Sequence, residues 1–241
     1  MAGLSSRFAK AGYEKPKYML PLNGGTLFYH SLHGFKAYFE TEPFLFIGRD
    51  ILGTEAFIRE EVKRLGIKTF EIVMLPNETR GQAETVYNGI MLSGVELETE
   101  ITIFNIDTFR RDFRYPYHLG AYEGYLEVFE GSGANWSYIR LDENDPMLVS
   151  ETAEKKPISN LCCTGLYNFK RSGDFIEAFE FSNDNKLFVK NELYVAPLYN
   201  YLISKGRKFT FHTIETNEVL FCGIPEEYTA LMQKGSALFE L

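Results

Sequence analysis

Apolar residues in this chain fall into segments of two kinds, and in the first half the kinds alternate. In TLFYHSLHGFKAYF (26–39), Leu27, Phe28, Leu32, Phe35 and Phe39 recur near helical spacing, which predicts a helix. PFLFIG (43–48) is a short apolar run closed by glycine, the pattern of a buried strand. TEAFIREEVKRLG (54–66) runs from a cap-like Thr54 to Gly66 and predicts a second helix. TFEIVML (69–75) predicts a strand, GQAETVYNGIMLSG (81–94) a helix between two glycines, and EITIFNID (100–107) a strand running into polar residues.

In the second half, strands are predicted over 124–131, 135–141, 161–170, 208–215 and 218–223. Helices are predicted over 172–181, 192–206 and 225–235, the last with Pro225 at a first-turn position and Gly235 at its end. Asn191 and Glu192 read as a helix start. Helix and strand in alternation argue for an α/β fold: a three-layer, Rossmann-like, mostly parallel sheet flanked by helices. In such sheets ligands sit at the carboxyl ends of the strands, where Asn105 and Asp107 lie. No repeat, low-complexity segment or linker divides the 241 residues. One domain is expected over 1–241, nucleotide-binding over 1–110 and acceptor-binding over 111–241.

Composition narrows the classes. With 45% apolar and 24% charged residues the chain is an ordinary globular one. No run of eighteen apolar residues predicts a membrane span. Cys162, Cys163 and Cys222 form neither a disulfide framework nor a zinc pattern, which suits a reducing cytoplasm. His30, His33, His118 and His212 show no metal spacing and read as structural. The net charge is −8, yet residues 1–20 carry +3 and leave −11 to the rest. A basic loop on an acidic protein suits a small anion such as phosphate, not a nucleic-acid polymer, which needs a broad basic face.

That loop is GLSSRF, followed by KPK. Small residues let the backbone approach a phosphate closely. Arg7 can hold two phosphate oxygens at once, and Lys17 is a compact charge suited to a phosphorus under attack. Neither G-x-x-x-x-G-K-[ST] nor G-x-G-x-x-G is present.

MAGLSSRF with Pro16-Lys17-Tyr18-Met19-Leu20-Pro21 resembles the signature of the sugar-phosphate nucleotidyltransferases, the nucleotide-sugar pyrophosphorylases of GT-A-like fold. The resemblance continues in order through Gly81-Gln82-Ala83, Asn105-Ile106-Asp107, Glu154-Lys155-Lys156-Pro157, Thr164-Gly165-Leu166-Tyr167 and Gly223-Ile224-Pro225-Glu226-Glu227-Tyr228. It implies transfer of a nucleoside monophosphate from a nucleoside triphosphate to a phosphorylated small molecule, with release of pyrophosphate. Arg7 and Lys17 would be catalytic. Ala2, Gly3, Ser5, Ser6, Asn77, Gly81 and Gln82 would bind the nucleotide. Asn105, Glu154, Lys155 and Gly165 would bind the acceptor, and Asp107 would bind Mg²⁺.

The sequence departs from that pattern in three places. Phe221 stands where the family carries a second metal-binding Asp, so Asp107 is the sole such ligand unless a nearby carboxylate substitutes. Asn77 is the nearest amide to the expected base-reading Gln, which leaves the base open. The acceptor segment carries an extra Lys156, which admits a non-sugar phosphate. In the family an upstream central strand delivers the loop, whereas this chain begins at Met1, already inside it. The expectation is that Met1 is internal to the natural protein and that a short apolar strand precedes it.

Plainer readings stand beside these. Asp107 also reads as a turn former, Glu154 and Lys155 as an exposed charged pair, and Trp136 beside Asn135 as core packing. The alternative functions are a metal-dependent GT-A glycosyltransferase and a catalytically impaired nucleotide-binding homologue.

Overall fold

The computed structural model describes residues 1–3, 5–117 and 120–235; His118 thus lies outside the described residues. In chain order the elements are α1 (Ser6–Lys10), β1 (Pro21–Leu22), β2 (Gly25–Thr26), α2 (Leu27–His33), β3 (Phe44–Gly48), α3 (Thr54–Leu65), β4 (Phe70–Met74) and α4 (Gln82–Ser93). There follow β5 (Ile101–Ile103), β6 (Thr108–Arg110), β7 (Gly124–Glu130), β8 (Ser137–Leu141), β9 (Val149–Glu154) and β10 (Leu161–Phe169). The chain continues through α5 (Ser172–Asp184), α6 (Leu198–Ser204), β11 (Thr210–Ile214), β12 (Val219–Phe221) and α7 (Pro225–Lys234). They gather into two compact units. The first comprises Met1–Glu78, Asn105–Tyr115 and Asn217–Leu241, the second Thr79–Phe104 and Pro116–Thr216.

In the first unit β3 and β4 pair in parallel, from Phe44 opposite Phe70 to Gly48 opposite Met74. Parallel neighbours need a crossover, and α3 supplies it. Alternate strand residues Leu45, Ile47, Val73 and Leu75 pack with Ala2 in a small core. Beside them the Met1 amine donates to the Ile47 carbonyl at 2.7 Å, so the opening loop starts along β3. β6 and β12 pair antiparallel, with Phe109 opposite Leu220. A second core joins Phe8, Leu20, Leu22, Leu27, Phe109, Cys222, Tyr228 and Leu231. It thereby fixes α1, the segment after Lys17, β6 and α7 against one another.

In the second unit the strand order is β11-β7-β10-β8-β9, with β5 also paired to β10. β10 is buried at every position after Leu161, as a strand covered on both faces must be. Its core draws Ala83 and Ile90 from α4, Phe175, Ala178 and Phe179 from α5, and Leu198, Tyr199 and Leu202 from α6.

The α/β class, with helices flanking a sheet, is as expected. The pairing is mixed: β3 with β4 and β11 with β7 run parallel. The connection from β8 to β9 is too short for a crossover. β9 therefore pairs antiparallel with β8, while β7 and β8 lie on either side of β10 and each pairs antiparallel with it. Helix 26–39 stops at His33, and a single 3₁₀ turn follows over Lys36–Tyr38. Strand 100–107 divides into β5 and β6 around a turn at Ile106–Asp107. Helix 192–206 is confined to α6. Asn191 and Glu192 start no helix: Lys190 and Asn191 adopt positive φ of 50° and 65° in a turn closed by a Val189–Glu192 bridge. Among the described residues no helix is long and apolar enough to cross a membrane.

Candidate active site

In the first unit the opening loop, Lys17 and Asp107 converge. Ser5 has a left-handed φ of 50°, and its Oγ accepts from the Lys17 backbone N–H at 3.3 Å. Lys17 lies in a one-turn 3₁₀ helix, Lys17–Met19, anchored by buried Tyr18, whose hydroxyl meets Thr54 Oγ1 at 2.8 Å. From there Lys17 Nζ donates to Asp107 Oδ2 at 2.5 Å, across ninety positions of sequence. Burial alone would raise the Asp107 pKa. The Lys17 charge and hydrogen bond outweigh it and hold the carboxyl below its usual range. Asp107 is therefore ionised at neutral pH, and about a quarter of each side chain stays exposed, 24% for Asp107 and 21% for Lys17.

β12 and α7 complete the surroundings of Asp107. Cys222 N–H donates to the Asp107 carbonyl at 2.8 Å. Gly223 passes so close that a Cβ there would stand 3.3 Å from Asp107 Oδ2 and 3.7 Å from Glu227 Oε2. Glu227 accepts from the Gly223 and Ile224 backbone N–H groups at 2.7 and 3.2 Å, capping α7. Burial, then the charges of Asp107 and Glu227, push the Cys222 thiol up to about 12. Phe221 pairs with Thr108 in the β12–β6 ladder and offers no metal donor.

A Mg²⁺ ion takes one or two carboxylates and fills its other positions with water and phosphate oxygens. The ionised Asp107 carboxylate, about a quarter exposed and with no side chain on the neighbouring Gly223, fits such an ion. Among the described residues no three His, Cys, Asp or Glu side chains form a complete cage.

The second unit carries the remaining pieces. Gly81 has φ 127°, and a Cβ there would lie 2.5 Å from the Leu193 carbonyl oxygen, so only glycine fits. Leu193 clasps this loop from both sides: its N–H donates to the Arg80 carbonyl at 2.7 Å, and its carbonyl accepts from Ala83 N–H at 3.1 Å. Gln82 is the first residue of α4.

Glu154 and Lys155 close β9. Glu154 stands opposite Ser137 of β8, whose hydroxyl donates to its carboxylate. Its side chain is only 5% exposed, and burial raises its pKa although Ser137 and Lys155 oppose the shift. Lys155 has a left-handed φ of 56°; its backbone N–H donates to the Trp136 carbonyl, and its ammonium donates to the Tyr194 hydroxyl. The pair is therefore built into the unit rather than loose on its surface.

The other expected residues are placed as follows. Ala2 is buried against Val73 and Leu75. Gly3 is exposed, Ser6 and Arg7 open α1 with exposed side chains, and Asn77 is exposed after β4. The Asn105 carbonyl accepts from Ser31 Oγ at 3.1 Å, one turn before Asp107. Gly165, with φ 96°, lies in the break of the β10–β7 ladder between Cys163 and Tyr167. His30 is a core residue, with Nε2 2.7 Å from the Leu22 carbonyl. All three cysteines are buried and unpaired. Sequence reasoning placed Glu227 in a matching segment but gave it no role, and it missed Ser137 and Tyr194. Only Glu227 left a signal, the acidic residue at the third helical position after Pro225.

The opening loop brings Lys17 onto an ionised Asp107, a pairing of charges suited to phosphate. No protein-family model matches the sequence, and no curated protein matches it. Solved structures do. The inositol-1-phosphate CTP transferase from T. maritima shares the fold at 12% identity, with a TM-score of 0.71 over 97% of this chain and 92% of that one. The UTP-bound UGPase from Acinetobacter baumannii does so at 12% identity, with a TM-score of 0.68 over 97% of this chain and 90% of that one. The nucleoside-diphosphate-sugar pyrophosphorylase from Vibrio cholerae RC9 is 50% identical, with a TM-score of 0.91 over 97% of this chain and 98% of that one. The class is thus nucleotidyltransferase. Within it, the chain belongs to the nucleoside-diphosphate-sugar pyrophosphorylase family.

Proposed function

We propose that this enzyme joins a nucleoside triphosphate to a phosphorylated acceptor, a sugar 1-phosphate in the first instance, and releases pyrophosphate. A phosphate oxygen of the acceptor attacks the α-phosphorus, the bond to the β-phosphate's bridging oxygen breaks, and that oxygen leaves with its electron pair on pyrophosphate. No covalent enzyme intermediate is required, so rate comes from placement and charge neutralisation. The observation that carries this reading is the Lys17–Asp107 contact beside the Ser5 loop.

In this reading Lys17 holds the α-phosphate and Arg7 the departing pyrophosphate. Backbone groups at Ala2, Gly3, Ser5 and Ser6 line the triphosphate, while Asn77, Gly81 and Gln82 face the nucleoside. Asn105, Glu154, Lys155 and Gly165 receive the acceptor. Asp107 would hold Mg²⁺, which supplies charge neutralisation on phosphate oxygens when bound. Glu154 accepts hydrogen bonds from acceptor hydroxyls, and Lys155 contacts the acceptor phosphate.

We place the product in nucleotide-sugar supply for surface polysaccharide, and the enzyme in the cytoplasm, where three buried free thiols are at home. The whole chain serves as one nucleotidyltransferase domain, and a pyrimidine triphosphate is the preferred donor.

The test is pyrophosphate release over a panel of four nucleoside triphosphates and diverse phosphorylated acceptors, with and without Mg²⁺. Release that needs both substrates and the ion supports the reading. Glycosyl transfer from a nucleotide sugar without pyrophosphate, or nucleotide binding without turnover, refutes it.

A further inference from the structure

Two adjacent residues of the second unit reach two different parts of the proposed site. Leu193 clasps the Gly81 loop through its backbone N–H and carbonyl. Tyr194, the next residue, receives the Lys155 ammonium on its hydroxyl and presents its ring 4.2 Å from the same nitrogen. We propose that Tyr194 is a positioning residue, which holds the Lys155 ammonium in place for the acceptor phosphate and registers it to the Gly81–Gln82 loop. This rests on the reading of Lys155 given above.

A lysine ammonium is a point charge on a flexible stem with three donors, and fixing it costs rotamer entropy. Lys155 meets that cost in advance. Its backbone is held at φ 56° by the bond from its N–H to the Trp136 carbonyl, 2.9 Å long. Its head is held by the Tyr194 oxygen and the ring face, with the Glu154 carboxylate at 3.7 Å. The chemistry of the holder matters. A phenol orients the ammonium without adding a second counter-charge to that of Glu154, so positive charge remains for a phosphate. A carboxylate in the same place would orient and neutralise it together.

The holder is itself fixed. The Leu193 side chain is 1% exposed, within the core of the unit. The turn at Lys190–Asn191, closed by the Val189–Glu192 bridge, sets the direction in which Leu193 and Tyr194 run. A shift of the Gly81 loop therefore moves Leu193, and with it the Tyr194 hydroxyl. Nucleotide on the loop and acceptor on Lys155 are coupled through two consecutive residues.

Four proteins test this: wild type, Tyr194→Phe, Lys155→Met and the double variant. The substrates are the triphosphate and acceptor with the highest rate in the panel above. Tyr194→Phe keeps the ring and removes the hydroxyl. It should lower kcat/KM for the acceptor about tenfold, the scale of one hydrogen bond to a charged group, mainly through KM. The triphosphate KM and the thermal midpoint should stay at wild-type values. In the Lys155→Met background the same change should have no further effect. Acetic anhydride labelling, read by mass spectrometry residue by residue, should rise at Lys155 in Tyr194→Phe and be unchanged at the other lysines. An equal loss from Tyr194→Phe in both backgrounds, or unchanged labelling of Lys155, overturns the inference and leaves the proposed reaction standing. A wild-type acceptor KM in Lys155→Met overturns the inference and the acceptor role given to Lys155, while the turnover from which it is read leaves the reaction standing.

Discussion

Replacing Gly81 with alanine is the sharpest single test of how the second unit is built. Two independent costs fall on one methyl group. Gly81 has φ 127°, outside the regions open to other L-residues, and forcing alanine there costs about 1–3 kcal/mol. The methyl would also stand 2.5 Å from the Leu193 carbonyl oxygen and 2.9 Å from its nitrogen. Relief requires Leu193 to move, which strains its bonds to Arg80 and Ala83, each worth roughly 0.5–1.5 kcal/mol. The sum is about 2–5 kcal/mol. For a chain of this size that lowers the thermal midpoint by roughly 5–15 °C. Trp136, the one tryptophan, lies in the second unit and reports its unfolding by fluorescence. Gly94→Ala is the control. Gly94 also has positive φ, 71°, but a Cβ there meets nothing within 4 Å, so only the left-handed backbone cost of about 1–2 kcal/mol is expected. Urea titrations of both variants decide the matter. A Gly81→Ala protein no less stable than Gly94→Ala would refute the steric argument.

Other outcomes follow from the same geometry. Lys17→Met should lower turnover on the order of 10²–10³-fold, as loss of one preorganised charge at a phosphoryl centre does, and Asp107→Asn should raise the Mg²⁺ concentration needed for half activity. Steady-state rates and Mg²⁺ titrations of folded variants check both, and near-wild-type values in both would count against the assignments. Glu154 has a raised folded-state pKa, so between the unfolded value, about 4.3, and the folded value the native state holds the extra proton. Wild type should therefore lose stability relative to Glu154→Gln as pH rises through that window; denaturation at pH 4 and pH 7 measures the difference, and a pH-independent gap contradicts it. All three thiols are buried, and burial raises their pKa values, so iodoacetamide should label none of them in native protein and all of them in urea.

Where punctuation was strong, the sequence was legible. β3, α3, β4 and α4 are bounded by glycines and short polar turns, and each falls within a residue or two of expectation. Thr54 is the first helical residue of α3 rather than its cap, which is Gly53. β9 escaped notice because its sequence, VSETAE, is polar: it is an edge strand in which only Val149 and Thr152 are buried. α1 is five residues long, too short to show a period. The predicted helix 192–206 failed because its first residues are committed to the Gly81 loop and the turn at Lys190–Asn191, which no local propensity reveals. The site divides the same way. The opening loop and Lys17 are contiguous and could be read directly. Tyr194 and Ser137 reach Lys155 and Glu154 only through tertiary packing, and nothing in their neighbours announces it.

The first unit is assembled from three separated stretches of chain, and the last of them begins at Asn217. That order has a consequence for biosynthesis. Residues 79–104 and 116–216 of the second unit have all emerged before β12 and α7 exist. Until then β6 lacks its only ladder partner among the described residues, the Asp107 carbonyl lacks the Cys222 N–H, and Tyr228 and Leu231 are missing from the core around Phe8. Loop closure across so many residues comes late and slowly. The nascent chain therefore passes through a stage in which every stretch of the second unit has been synthesised while the first unit still lacks β12 and α7, with Lys17 and Asp107 already made. Emergence of β12 and α7 is then the step that completes the first unit.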